Sequence, residues 1–232
     1  QRSLADLLLP DELQTEGYSI YTTIDMRLQN AAQEAVREGL EELEKEKPDL
    51  MGKGQPLQAA LVCADPYSGA VLALVGGRDF QASSFNRALL GKRPIGSVIK
   101  PFIYLKAMQG AQEGLYDLSP NAYLDDSPLT IETPFGPWTP QNFNKNFSGP
   151  VTVRRALEES LNVPTVRLSQ MIGINVLADF LEGLGFPTLM RVPSLALGTI
   201  DLSPLEVAGL YTVFVNQGIR STTHFMRTVR SS

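Results

Sequence analysis

The sequence AALVCADPYSGAVLALV occupies residues 59–75 and holds two apolar runs, residues 59–64 and residues 70–75. Between the runs lies Asp65-Pro66-Tyr67-Ser68-Gly69, whose proline and glycine are typical of a tight reversal of the chain. Two apolar runs joined by so short a turn are typical of a β-hairpin. The stretch therefore predicts two neighbouring antiparallel strands.

On the N-terminal side of the hairpin, residues 18–24 are rich in β-branched and aromatic side chains, which predicts a strand. Asp25 follows in a position that suits a helix N-cap. From Met26 to about Lys45, apolar residues recur at helical spacing with charged residues between them. We therefore expect one strand followed directly by an amphipathic helix with one buried face.

The chain beyond the hairpin is mostly helical by the same criteria. Helices are predicted over residues 97–108, 151–161, 164–172, 176–184 and 203–214. The last of them begins with serine, proline and, three residues after the serine, glutamate, an order typical of a capped helix start. Residues 113–150 carry repeated prolines and glycines and predict a long connection. The predicted fold class is α+β.

The composition is that of a globular protein with a sizeable core, since 43% of the 232 residues are hydrophobic and 19% are charged. The formal net charge of −5 provides no positive field for phosphates, so we predict no nucleic-acid partner. The single cysteine, Cys63, lies in an apolar run and is interpreted as a small buried hydrophobic residue. No ligand cluster or phosphate-binding loop is visible, so no metal and no cofactor are predicted.

Ser97-Val98-Ile99-Lys100 is the first candidate for chemistry. On a first helical turn, a serine and a lysine three residues apart share a face, and a lysine with a disfavoured charge can accept the serine proton. Free backbone N–H groups at a helix start would stabilise negative charge there. Such a site needs no histidine, and the sole histidine, His224, lies near the end of the sequence. Because this spacing arises by chance about once in a chain of this length, a surface helix start is the alternative.

A second candidate element is Ser160-Leu161-Asn162, at the predicted junction of two helices. Its hydroxyl and carboxamide are suited to relaying a proton to a leaving amine and to holding a substrate amide. A rival pair exists in Ser84-Phe85-Asn86. We prefer Ser160, because Ser84 precedes the predicted nucleophile in the chain.

These elements belong to a longer series of short blocks. In chain order the blocks are Tyr21-Thr22-Thr23-Ile24-Asp25 with Leu28-Gln29, Val75-Gly76-Gly77, Phe85-Asn86-Arg87-Ala88, Ile95-Gly96-Ser97-Val98-Ile99-Lys100-Pro101-Phe102, Trp138-Thr139-Pro140-Gln141-Asn142, Ala156-Leu157, Ser160-Leu161-Asn162-Val163-Pro164 and Ser203-Pro204-Leu205-Glu206-Val207-Ala208. Together, over nearly the whole sequence, they resemble the transpeptidase domain of bifunctional class A penicillin-binding proteins.

The resemblance implies a penicillin-binding, serine β-lactamase-like transpeptidase fold, of which this sequence holds the helical subdomain and the first strands of the antiparallel sheet. Residues 1–17 would be the end of an interdomain linker, and residues 18–232 the N-terminal two-thirds of the domain. The parent protein would act at the extracytoplasmic face of the bacterial inner membrane. Its membrane anchor is expected outside this sequence, which has no apolar stretch of about 18 residues.

For the site, the resemblance implies that Ser97 attacks the D-Ala-D-Ala bond of a peptidoglycan stem peptide and passes the acyl group to a neighbouring amine. β-Lactam antibiotics would acylate the same serine. Lys100 would be the leading candidate for the base, and Ser160 and Asn162 would relay the proton and hold the substrate amide. The residues expected to bind substrate are Gly96, Trp138, Gln141 and Asn142.

One departure from the family is the absence of any Lys-Thr-Gly or Lys-Ser-Gly tripeptide. In the family this third motif supplies a lysine and one oxyanion-hole donor, and losing one such donor costs about 100- to 1,000-fold in rate. The activity of the fragment alone is therefore expected to be impaired. The fragment would also have an unpaired sheet edge, which favours self-association. The alternatives are a non-catalytic module that binds cell-wall peptide, and a hydrolase of the D,D-carboxypeptidase or β-lactamase type.

Overall fold

The structure is a computed structural model that describes residues 17–51 and 54–231. The described residues divide into two compact units, residues 17–51 and 54–92 with 202–231 and residues 93–201. The strands are β1 (Tyr18–Thr22), β2 (Leu61–Ala64), β3 (Val71–Val75), β4 (Arg93–Pro94), β5 (Tyr123–Asp126), β6 (Ile131–Thr133), β7 (Gly136–Trp138), β8 (Gly149–Thr152), β9 (Asp201–Leu202) and β10 (Met226–Ser231). The α-helices are α1 (Met26–Glu46), α2 (Arg87–Leu90), α3 (Lys100–Gln112), α4 (Val153–Glu158), α5 (Asn162–Ile172), α6 (Ile174–Gly183) and α7 (Pro204–Val215). Residues 1–16 of the predicted linker lie outside the described part.

The first unit is built on two antiparallel strand pairs, β1 with β10 and β2 with β3. The predicted hairpin is confirmed, with Leu61 opposite Val75 and Cys63 opposite Ala73. Helix α1 is confirmed as well, and the Asp25 carboxylate accepts from the backbone N–H groups of Arg27 and Leu28 at its start. The buried side chains of α1 and β3 form one apolar cluster, which consists of Ala32, Val36, Leu40, Ala73 and Val75.

The outer edge of β3 is covered within this unit. The Gln29 side chain accepts from Leu74 N at 2.9 Å and donates to Leu74 O at 3.1 Å, as a neighbouring strand would. Val71 N donates to His224 O, and Asp25 N donates to Leu72 O, both at 2.9 Å. The predicted self-association through a sheet edge stays a prediction.

Replacing Gln29 with alanine is expected to weaken the protection of the Leu74 amide against hydrogen exchange. Because the side chain supplies both hydrogen bonds of Leu74 on this edge, we expect hydrogen exchange of that amide to accelerate about tenfold, the equivalent of one net hydrogen bond. Exchange mass spectrometry of the β3 peptide measures it. The control is Gln33→Ala, which truncates an exposed glutamine of the same helix and should change nothing; equal exchange in both variants would contradict the expectation.

The second unit contains α3 to α6 and the strand pairs β5 with β8 and β6 with β7. Its core includes Phe102, Ile103, Leu168 and Leu177, all nearly inaccessible to solvent. The Phe102 ring meets Phe186 edge to face, with the ring centroids 5.2 Å apart.

Two expectations about this unit are wrong in detail. Residues 113–150 are not a long irregular connection, because β5, β6 and β7 lie within them and β8 begins at Gly149. The helix expected over 151–161 starts as β8 and is helical only over Val153–Glu158. The short strands escaped notice because the prolines of this region suit strand edges as well as loops.

Two expected helices are confirmed with small shifts in their bounds, α5 over Asn162–Ile172 and α6 over Ile174–Gly183. In the first unit, α7 has the predicted capping box, in which the Ser203 and Glu206 side chains each accept from the other residue's backbone N–H.

Among the described residues, no helix is both long enough and apolar enough to cross a membrane.

Candidate active site

Ser97 lies in a 3-10 turn, Gly96–Ile99, directly before α3. The α-helix begins only at Lys100, because Pro101 has no N–H to donate to the Ser97 carbonyl. The Lys100 N–H bonds to that carbonyl instead, which is the tighter i to i+3 pattern. With three residues per turn, a 3-10 helix places side chains 97 and 100 on the same side, and Ser97 is exposed to solvent.

The backbone before Ser97 is held against residues 198–200 of the same unit. Ile95 N donates to Ile200 O at 2.9 Å, and Gly96 N donates to Gly198 O at 3.1 Å. Both glycines have left-handed backbones, with φ of 56° at Gly96 and 71° at Gly198. A Cβ on Gly198 would meet the Gly96 carbonyl oxygen and would lie 2.6 Å from Gly96 N. The position of Ser97 therefore depends on the absence of a side chain at residue 198.

If Ser97 is the nucleophile, as the sequence predicts, Gly198→Ala is expected to slow its acylation. The added methyl group meets backbone atoms, and the left-handed φ costs a non-glycine residue about 1 kcal/mol. The turn before Ser97 must shift, and a displacement of about 1 Å can cost about 100-fold in rate. The rate of labelling by a fluorescent penicillin measures the effect.

The matched control for this prediction is Gly183→Ala, because a Cβ at Gly183 meets nothing within 4 Å and that residue has no left-handed φ. Labelling of the Gly198→Ala variant at the rate of the Gly183→Ala control would show that the close approach of Gly198 to Gly96 does not determine the position of Ser97.

Lys100 is the first residue of α3 and is 1% exposed. Its Nζ donates to Ser160 O at 2.6 Å, to Asn162 Oδ1 at 2.7 Å and to Ser160 Oγ at 3.1 Å. These bonds use all three protons of an ammonium group. Burial lowers the pKa of Lys100 from 10.5 to about 8. The lysine is thus held firmly beside the Ser160-Leu161-Asn162 corner, and its charge is partly disfavoured.

The approach of Lys100 to Ser97 stays a prediction. Within the described residues, no hydrogen bond joins Lys100 Nζ to Ser97 Oγ, because the three donors all face residues 160 and 162. A neutral amine has only two protons and one free lone pair. On losing a proton, Nζ would therefore give up one of its three hydrogen bonds and could accept a proton through the lone pair.

Ser160 has a left-handed backbone, with φ of 53°. It follows α4, where Ser160 N donates to Leu157 O and Leu161 N donates to Ala156 O. This is the Schellman pattern of helix ends, in which the left-handed residue is usually glycine. In the left-handed conformation, a serine lowers the stability of the fold by about 1 kcal/mol compared with glycine. Its presence is consistent with a need for its hydroxyl. The same turn aims the Ser160 carbonyl at Lys100.

Asn162 begins α5 and has an oriented side chain. Its Oδ1 accepts from Lys100 Nζ, and its Nδ2 donates to the backbone O of Gln141 at 2.8 Å. The Gln141 side chain is exposed and remains a predicted substrate contact. The structure thus brings together three of the four predicted catalytic residues by hydrogen bonds, and places the fourth, Ser97, one turn before Lys100.

The Asn142 side chain is buried and fully hydrogen-bonded. It is 3% exposed, and its side-chain amide makes four hydrogen bonds inside the protein, to Asp126, Asn146, Asn162 and Val163. Four is the full capacity of an asparagine amide. The Asn142 amide is thus fully used inside the protein, and a contact of Asn142 with substrate stays a prediction.

Trp138 ends β7 and is half-buried. It lines an open groove of about 720 Å³ together with Phe135, Leu195 and Ile200. The Ile200 carbonyl accepts from Ile95 N, so the wall of this groove continues into the segment that carries Gly96 and Ser97. Trp138 and Gly96 remain predicted substrate contacts.

Sequence reasoning missed Gly198 and Asp126. Gly198 follows a 3-10 helix in the left-handed conformation that glycine favours, a signal that a single sequence shows only weakly. Asp126 is fully buried behind Asn142. Within residues 17–51 and 54–231, no group of three or more His, Cys, Asp or Glu side chains is arranged to hold a metal ion.

Comparison with known proteins shows the family of this chain. The model of the penicillin binding protein transpeptidase domain matches residues 59–231. Penicillin-binding protein 1B of Escherichia coli (strain K12) is 37% identical over 218 residues, which cover 92% of this chain and 25% of that protein. Penicillin-binding protein 1A of Neisseria meningitidis is 38% identical over 173 residues, or 72% of this chain and 21% of that protein. The chain thus spans about a quarter of the length of these relatives.

Solved structures show the same fold. The crystal structure of penicillin-binding protein 1A from Haemophilus influenzae aligns with a TM-score of 0.81 at 24% identity, over 93% of this chain and 45% of that one. PonA1 from Mycobacterium tuberculosis in complex with penicillin V aligns with a TM-score of 0.75 at 24% identity, over 99% and 59% of the two chains. The predicted fold class, α+β of the penicillin-binding type, is confirmed.

Proposed function

Because this chain belongs to the family of penicillin-binding protein transpeptidase domains, we propose that it forms part of a peptidoglycan D-Ala-D-Ala transpeptidase with Ser97 as nucleophile. The observation that carries the proposal is the buried Lys100, one turn after Ser97, whose amine joins Ser160 and Asn162. The site thus combines a hydroxyl, an amine of lowered pKa and a second hydroxyl for proton relay.

In the first step, Ser97 Oγ attacks the carbonyl carbon of the penultimate D-Ala and gives its proton to the neutral Lys100 amine. The carbon–nitrogen bond then breaks, and the terminal D-Ala leaves with a proton that Lys100 supplies through Ser160 Oγ, 3.1 Å away. The product is an ester on Ser97. In the second step, an amine of another stem peptide attacks this ester, which forms a peptide bond and returns the proton to Ser97.

The lowered pKa of Lys100 supports its role as base. With a pKa of about 8, about a tenth of Lys100 is neutral at pH 7, compared with about one molecule in 3,000 at the ordinary value. The enzyme therefore gains about 300-fold in the fraction of lysine that can accept the Ser97 proton.

We extend the proposal to β-lactams, because solved relatives of the same fold include a penicillin G acyl-enzyme complex of penicillin-binding protein A from M. tuberculosis. Ser97 Oγ would open the lactam ring, with the ring nitrogen taking the proton. The proposed location is the extracytoplasmic face of the bacterial inner membrane, where the stem-peptide substrates are found.

The proposal is tested on the full-length protein with a fluorescent penicillin and with a D-Ala-D-Ala stem peptide plus an acceptor amine. We expect a stable covalent adduct and a cross-linked peptide product. Rapid turnover of the β-lactam would establish a hydrolase instead. Affinity for peptidoglycan fragments without any adduct would establish a non-catalytic binding module.

The same assay on the 232-residue chain alone tests the importance of the third motif. If the isolated chain folds, we expect labelling slower by about 100- to 1,000-fold, because one oxyanion-hole donor is missing.

A further inference from the structure

A buried hydrogen-bond chain lies behind Asn162. It begins at Asp126, whose side chain is completely buried. Asp126 Oδ1 accepts from Asn142 Nδ2 at 2.7 Å, and Asp126 Oδ2 accepts from Ser148 N at 2.9 Å. The chain continues from Asn142 to the start of α5.

Asn142 acts as the cap of α5 although it lies 20 residues earlier in the chain. Its Oδ1 accepts from Asn162 N at 2.8 Å and from Val163 N at 3.2 Å. The residue at the N-cap position itself, Leu161, provides no side-chain hydrogen bond. The first residue of this helix is Asn162, the partner of Lys100. The Asn142 amide therefore fixes the backbone that carries a predicted catalytic side chain.

Asp126 is one of four groups that fix the orientation of that amide, together with Asn146 O and the N–H groups of Asn162 and Val163. The oxygen and nitrogen ends of an asparagine side chain have nearly the same shape, so packing alone does not select one. A carboxylate only accepts hydrogen bonds, so it requires the Nδ2 end of Asn142 to face it. If the amide turned over, Nδ2 would face the N–H groups of Asn162 and Val163, and donors would oppose donors.

We infer that Asp126 is a positioning residue of this site: it orients Asn142, which in turn sets Asn162 against Lys100. The inference rests on the proposed function, because it assigns Asp126 to the same acylation step. It concerns a completely buried residue whose hydrogen bonds go to Asn142 and Ser148.

The test begins with Asp126→Asn in the full-length protein. An amide at 126 keeps the size of the side chain, but it has one acceptor oxygen for two donors, so its nitrogen must oppose either Asn142 Nδ2 or Ser148 N. We expect labelling by fluorescent penicillin to slow by about 10- to 100-fold, the effect of a displacement of up to about 1 Å. The control is Asp125→Asn, which changes the neighbouring, half-exposed aspartate that pairs with Arg167 and should label at the wild-type rate.

The decisive variant exchanges the two side chains, Asp126→Asn with Asn142→Asp. The amide now at position 126 accepts from Ser148 N and donates to the carboxylate now at position 142. That carboxylate still accepts from the two backbone N–H groups at the start of α5, and the one unfavourable contact is with Asn146 O, where two acceptor oxygens face each other in place of a hydrogen bond. We expect labelling to recover to within about tenfold of wild type, a rescue that loss of a merely structural carboxylate would not show.

The outcomes separate this inference from the proposed function. If the wild-type protein forms no adduct, the proposed function fails. If wild type labels and Asp126→Asn labels equally fast, the positioning role is overturned while the function stands. Circular dichroism reports folding: should Asp126→Asn not fold, the exchange variant decides alone, and an exchange variant that is slow or unfolded overturns the inference.

Discussion

Ser97→Ala is expected to abolish covalent labelling by penicillin and formation of the cross-linked peptide. The variant keeps the 3-10 turn and the buried Lys100 but has no oxygen to acylate. Removing the nucleophile of a serine acyl-transfer enzyme lowers the rate on the order of 10⁶-fold, so we expect no adduct within the time of the assay. Gel fluorescence after incubation with a labelled penicillin measures this, and circular dichroism confirms that the variant is folded.

The control for Ser97→Ala is Ser84→Ala, which removes the exposed serine of the rival Ser-x-Asn element. It should label at the wild-type rate. An adduct on folded Ser97→Ala would show that another residue is the nucleophile, and loss of the adduct in Ser84→Ala alone would point to the rival element.

Lys100→Met should also lower the labelling rate strongly. We expect a fall of about 100- to 10,000-fold, which is the usual contribution of a general base. Methionine has a similar length and carries no charge, so the buried position is filled without a desolvation cost. The Ser97 hydroxyl remains in place. The acylation rate at saturating penicillin separates this loss from weaker binding. A folded Lys100→Met variant that labels at the wild-type rate would exclude the lysine as base.

The pH dependence of acylation gives a second test of Lys100. Burial lowers its pKa to about 8, and only the neutral amine accepts the Ser97 proton. The wild-type rate should therefore rise with pH. Well below pH 8 it should rise about tenfold per pH unit, and above pH 8 it should level off. Lys100→Met should lack this rise. A wild-type profile that is flat from pH 6 to pH 9 would contradict the assignment.

Local features of the fold could be predicted from the sequence, because their signals lie within a few residues. The hairpin of β2 and β3, the helix α1 with Asp25 as its cap, and the capping box at Ser203 are of this kind. The pairing of β1 with β10 could not, since Tyr18 and Ser231 meet across almost the whole chain. The 3-10 turn at Ser97 was missed although Pro101, its cause, is visible in the sequence.

For the site, the sequence identified the residue types but not all of their roles. The proximity of Lys100 to Ser160 and Asn162 agrees with the grouping expected from the motifs. The burial of Asn142 could not be predicted, because a buried, fully bonded amide and an exposed one look alike in a sequence. Asp126 and Leu124 share the buried face of β5, and the residues beside them on the strand are exposed. Recognition of that strand would have indicated a buried carboxylate.

The most direct measurement is the site of penicillin attachment in the wild-type protein. Trypsin is expected to release residues 93–106, a peptide with Ser97 as its only serine, because the bonds before Pro94 and Pro101 resist cleavage. Fragmentation of this peptide by mass spectrometry after treatment with penicillin G should place the added mass of the drug on Ser97. An adduct confined to any other residue, or an unmodified peptide in a protein that has otherwise reacted, would contradict the assignment of Ser97 as nucleophile.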